Sequence, residues 1–99
     1  MSLLVKICGL STPDALDAAL DAGADLVGFV FFPPSPRNLA PAAARELGVQ
    51  VRGRAQKVAL TVDADDALFD AIVAALKPDI LQLHGHETPT RVTSLKERY

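Results

Sequence analysis

The sequence predicts an α/β protein of four parallel βα units, and three observations carry that expectation. Short apolar runs return at intervals of roughly 22–30 residues, each followed by a stretch with helical spacing. Every intervening stretch is long enough to cross back over a sheet, which makes the strands parallel with right-handed crossovers. No linker or low-complexity tract interrupts the series, so residues 1–99 read as one domain.

Composition narrows the class. Of the 99 residues, 49% are apolar and 22% charged, which suits a folded domain rather than a disordered one. A net charge of −2 gives no electrostatic footprint for nucleic acid or an anionic membrane. Tryptophan is absent, so no stacking platform is evident. A single cysteine cannot form an internal disulfide, which fits a cytoplasmic setting. Lys6 interrupts the N-terminal apolar run before a signal-peptide core could form, and no run is long enough to cross a bilayer.

The first unit places a buried strand over Leu3–Cys8 and a helix from about Thr12 to Ala22. Thr12-Pro13-Asp14 supplies a capping hydroxyl, an early proline and an early acid, and Gly23 stands where a C-terminal cap belongs. Side chains alternate along a strand, so Lys6 and Cys8 share one face, with the thiol at the carboxyl end. The second unit opens with Asp25–Phe31, apolar on both faces as a doubly covered strand requires. The prolines of Phe32-Pro33-Pro34-Ser35-Pro36-Arg37-Asn38 forbid helix or central strand. A helix then runs from about Pro41 to Leu47 and ends at Gly48. The third unit has a strand over Lys57–Val62 and a helix from about Asp65 to Leu76, with Asp63 or Asp65 as its N-cap. The fourth has a strand over Asp79–His84, then Gly85-His86-Glu87, then a helix from about Pro89 toward Tyr99.

Such a series is either a small open sheet or half of an eight-stranded barrel. Cys8, the Pro33–Asn38 loop and His84 each follow a strand, on the side where barrel enzymes build their sites, and this favours the barrel.

Chemistry concentrates at those three places. Cys8 could act as nucleophile or general base if Lys6 or a helix N-terminus lowers its pKa; the alternative is a small buried hydrophobe. Arg37 ends a stiff loop and could present a bidentate fork to a carboxylate or phosphate, or be a solvated arginine on a rigid connector. Gln82 and His84 share a strand face and could hydrogen-bond a ligand, with Gly85 permitting close backbone approach. His84, His86 and Glu87 could be read as metal ligands, but the local supply is too thin for zinc, and no metal is expected. Asp63, Asp65 and Asp66 read as a solvated turn and helix start. No glycine-rich nucleotide loop occurs.

Lys6-Ile7-Cys8-Gly9-Leu10, Gly28-Phe29-Val30-Phe31 running into Pro34-Ser35-Pro36-Arg37, and Gln82-Leu83-His84-Gly85 together resemble the phosphoribosylanthranilate isomerases of tryptophan biosynthesis, in that family's order and spacing. The resemblance implies the N-terminal half of a TIM (β/α)8 barrel. It also implies a cofactor-free Amadori rearrangement of the phosphosugar N-(5-phosphoribosyl)anthranilate to a 1-deoxyribulose phosphate. By the same resemblance Cys8 is the general base, Arg37 contacts the anthranilate carboxylate, and Lys6, Gln82 and His84 lie near the substrate. The family's general acid, an aspartate on the fifth strand, and its phosphate-binding loops have no counterpart in these residues. The expectation is therefore a half-length chain with negligible activity alone. Its partners would be either a C-terminal half or a second copy joined through the open edges.

Overall fold

The computed structural model describes residues 3–99. The four strands are β1 (Lys6–Ile7), β2 (Leu26–Phe31), β3 (Gln56–Thr61) and β4 (Ile80–Leu83), all parallel and in the order β1-β2-β3-β4. They alternate with helices α1 (Pro13–Asp21), α2 (Pro41–Val51), α3 (Asp66–Leu76) and α4 (Pro89–Arg98). The expected four-unit architecture is the observed one.

Register divides the sheet into two faces. Ile7, Val27, Phe29, Phe31, Ala59 and Leu81 turn toward the helices. There they pack with Leu16, Leu20, Ala44, Leu47, Val51, Ile72 and Leu76 in one core. Lys6, Gly28, Val30, Val58, Leu60, Ile80 and Gln82 occupy the opposite face by alternation. That face is concave. The Lys6 ammonium on β1 donates to Gln82 Oε1 on β4, although two strands lie between them. In a flat sheet those edges would stand roughly 14 Å apart, so the contact reflects strong curvature.

Two of the three βαβ units, β1–α1–β2 and β3–α3–β4, share the same device. Asp25 accepts from the Val5 amide at 2.8 Å and returns its own N–H to Val5 O at 2.9 Å. Asp79 accepts from the Lys57 amide at 2.8 Å and returns its N–H to Lys57 O at 2.9 Å. Each carboxylate closes the amino end of a strand pair.

β2, β3 and β4 fall within a residue of the expected ends, and two boundaries, in β1 and α2, differ by more. The first strand is shorter than Leu3–Cys8, because β2 begins at Leu26, opposite Lys6, and offers Leu3 and Leu4 no ladder partner. Leu3 and Leu4 are both 76% exposed, not buried. The second helix does not stop at Gly48. It continues to Val51 and ends at Arg52, in the left-handed conformation. Gly48 is buried against α3, where an added Cβ would lie 3.0 Å from Leu76 Cδ1 and 3.2 Å from Leu76 O. Its hydrogen side chain permits a close helix crossing, a role that local spacing does not distinguish from a cap. Of the two N-cap candidates for α3 it is Asp65 that caps, accepting from the Leu68 amide at 2.9 Å. Thr12 caps α1 as expected, accepting from the Ala15 amide at 3.2 Å.

Candidate active site

The carboxyl ends of the strands carry the side chains that the sequence singles out, and glycines determine how they sit. Cys8 follows β1 on the concave face and is half-buried. Its neighbour across the ladder is Gly28, in the middle of β2. A Cβ at Gly28 would stand 2.8 Å from Cys8 Sγ and 3.2 Å from Cys8 Cα and Cβ. The thiol therefore fills the space that any other residue at position 28 would occupy.

Arg37 comes from the loop after β2. The chain doubles back there: Ser35 N–H donates to Phe32 O, Asn38 N–H to Ser35 O, and Leu39 N–H to Val30 O. The Ser35 hydroxyl accepts from the Arg37 amide at 3.1 Å, and Asn38 bridges to Val30. These turns direct the arginine across Gly9, where an added Cβ would meet Arg37 Cδ at 2.7 Å and Nη1 at 2.9 Å. Gly9 itself has φ of +78°, which only glycine adopts without strain. The guanidinium thus lies against the residue that follows the thiol.

Gln82 and His84 come from β4 and the residue beyond it. Gln82 is half-buried and takes the Lys6 ammonium. Lys6 is thus engaged across the concave face, rather than standing free beside the thiol. His84 is exposed, and its amide donates to Thr61 O at 2.8 Å, extending the β3–β4 ladder by one bond.

A fourth cluster joins the loops after β3 and β4. Asp63 Oδ1 accepts from the His86 amide at 2.7 Å, while Glu87 accepts from the amides of Gly85 at 2.8 Å and Asp63 at 3.3 Å. Gly85 has no room for a side chain, because Asp63 Oδ1 lies 2.6 Å from where its Cβ would be. The close approach at Gly85 is made by this carboxylate. Glu87 is consequently spent on backbone amides, and the His86 ring faces Asp63 at 3.7 Å. Among the described residues no three His, Cys, Asp or Glu side chains are grouped to hold a metal.

Sequence reasoning missed the contact of Gly28 with the thiol and the Asp63–Glu87 clasp. A glycine inside an apolar strand is itself a sign of close approach, so Gly28 had a readable signal. Asp63 and His86 are 23 positions apart, and no local pattern announces their pairing.

Comparison with known proteins follows the same lines. Residues 5–99 match the model of the N-(5'-phosphoribosyl)anthranilate (PRA) isomerase family. A curated N-(5'-phosphoribosyl)anthranilate isomerase of Bradyrhizobium sp. (strain ORS 278) is 70% identical over the whole chain, which corresponds to 45% of that protein. The chain thus spans about half the length of the curated relatives it matches. Phosphoribosyl anthranilate isomerase from Thermotoga maritima superposes with a TM-score of 0.91 at 30% identity, over 98% of this chain and 47% of that one. A second solved isomerase, in complex with reduced 1-(o-carboxyphenylamino)-1-deoxyribulose 5-phosphate, also gives a TM-score of 0.91 at 30% identity, over 98% of this chain and 50% of that one.

Proposed function

Since the chain belongs to the N-(5'-phosphoribosyl)anthranilate isomerase family, we propose that it supplies the base-bearing half of an isomerase site for N-(5-phosphoribosyl)anthranilate. The reading rests on one arrangement: the Cys8 thiol seated on Gly28, with the Arg37 guanidinium laid across the adjoining Gly9.

In the Amadori rearrangement an acid opens the furanose ring to an iminium ion. A base then removes the C2 proton, and the resulting enolamine tautomerises to the 2-ketose. Cys8 stands at the carboxyl end of its strand on the open concave face, where its thiolate could take that proton. Arg37 offers the paired N–H donors that suit the anthranilate carboxylate, at a point fixed by the Ser35 turn. His84 and the Lys6–Gln82 pair border the same face and would contact the sugar and its substituents. The setting proposed is cytoplasmic, with no cofactor.

The general acid and the phosphate grip lie outside the residues described, so this half is expected to turn over negligibly by itself. The test is an isomerase assay by fluorescence of the anthranilate derivative, with the 99-residue chain alone and then mixed with a C-terminal half from a full-length relative. Activity confined to the mixture, and abolished by Cys8→Ser, is the expected result. Robust turnover by the chain alone, or mixture activity that survives Cys8→Ser, would overturn it.

A second reading has its own observation. Among the described residues, β1 and β4 are each paired on one side only, both belong to a purely parallel sheet, and the concave face between them carries the exposed Ile80. Two copies could join β4 of one to β1 of the other, twice, around a two-fold axis. This reading makes the chain an assembly module, and the association state of the pure protein separates it from the first.

A further inference from the structure

Among the described glycines, those at the two ends of the sheet differ. At the amino-terminal side, Gly23 and Gly53 have positive φ and nothing within 4 Å of an added Cβ. Their value is conformational. Around the candidate site, at the carboxyl-terminal Gly9 and Gly85 and at Gly28 in mid-β2, the missing side chains are replaced by Arg37, Asp63 and Cys8 respectively. Gly28 and Gly85 lack the positive φ of Gly9, so at these two only space is at stake, and Gly28 is the one whose space the thiol takes.

We infer that Gly28 is a positioning residue for the Cys8 thiol: the floor of the seat that fixes where Sγ points on the concave face. The inference deepens the proposal that Cys8 is a base and rests on that reading for its catalytic meaning. Its geometric content stands separately. Non-bonded heavy atoms settle at roughly 3.5–4.0 Å, so a methyl group whose carbon lies 2.8 Å from Sγ forces the thiol off its seat. Gly28 is buried beneath it, with Val27 and Phe29 fixed in the core on either side. The strand therefore cannot easily recede, and the thiol is the part that moves. With the other side of the thiol open, it moves toward solvent.

The test is the rate of alkylation of Cys8 by iodoacetamide in the 99-residue chain, measured across pH for the parent and for Gly28→Ala. A displaced, more exposed thiol should react at least about fivefold faster at a given pH, with native circular dichroism retained. A rate within twofold of the parent, in a folded Gly28→Ala protein, overturns the inference. If Gly28→Ala does not fold, Cys8→Gly is added to it, and removal of the thiol should restore a folded chain with native circular dichroism and a cooperative unfolding transition. A double variant that stays unfolded, while Cys8→Gly alone folds, would place the collision elsewhere and also overturn it. Neither readout involves turnover, so failure here is distinguishable from failure of the isomerase assay.

Discussion

Gly48 shows how a single missing side chain can set a helix pair. Replacement by alanine ordinarily favours a helix by about 0.8–1.0 kcal/mol. Here the new Cβ would meet Leu76 Cδ1 at 3.0 Å and Leu76 O at 3.2 Å. That carbonyl is also pinned, since it accepts from the Lys57 ammonium at 2.8 Å. The clash should therefore outweigh the propensity, and Gly48→Ala is expected to destabilise by about 1 kcal/mol in urea titration. A stabilised variant would show that α2 and α3 can part freely. The same residue marks where sequence reading runs out. A glycine after an apolar helical stretch has the pattern of a C-terminal cap, and only a partner 28 positions away along the chain reveals the other use. Thr12 was legible because its cap is completed three residues later. Arg37 was legible as a fixed arginine because prolines restrict its loop, but its resting place on Gly9 is a tertiary fact.

Among the elements, α4 is the most polar helix and the one most dependent on charge. Leu95 is its only buried residue. Arg91 pairs with Asp66 at 2.6 Å and lies over the Phe69 ring at 5.4 Å, while Arg98 pairs with Asp70 at 2.7 Å. Tyr99 donates to Asp70 and has its ring 6.4 Å from that of Phe69. Between α3, β4 and α4 an apolar groove of about 630 Å³ stays open, bordered by Val73, Leu81, Leu83 and Val92. With little buried apolar area, α4 should exchange its amides fastest of the four helices, and faster still at 1 M salt, where exposed pairs are screened. Hydrogen exchange that is slow in α4 and indifferent to salt would contradict this. The pH dependence has a definite sign. Hydrogen bonds from Arg98 and then Tyr99 hold the Asp70 carboxyl below its usual range. A depressed carboxylate contributes stability above its unfolded pKa, about 3.9, and loses it as pH falls through the lower folded value. Protection of the α4 amides, measured against their intrinsic exchange rates, should therefore fall first on acidification below about pH 4, and Asp70→Asn should remove that acid-sensitive component. The existence and order of all four helices could be read from periodicity. The docking of α4 could not, because ion pairs between helices leave no periodic trace.

For the whole molecule, the architecture was legible because four apolar runs at regular spacing admit few topologies. The concave face was less so, since alternation assigns side chains to a face without saying what covers it. Among the described residues, β1 and β4 are the outermost strands, each paired on one side, and the Lys6–Gln82 bond spans the concave face between them. If two copies close a barrel, sedimentation velocity should show a discrete dimer that grows with concentration and no larger species, because the two-fold arrangement uses both edges of each copy. A folded monomer at all concentrations would exclude that reading and leave the complementation proposal standing.

The bond between Lys6 and Gln82 has a kinetic meaning as well as a geometric one. It joins residues 76 positions apart, the first strand to the fourth. Closing so long a loop is entropically costly until local and neighbouring pairings have drawn the chain together. The contact can therefore form only after β1, β2, β3 and β4 are all in register, which places it late on the folding route. An interaction formed that late slows unfolding without hastening folding. The link between the two ends of the sheet is thus set after assembly, and its share in slowing unfolding is that of one exposed hydrogen bond.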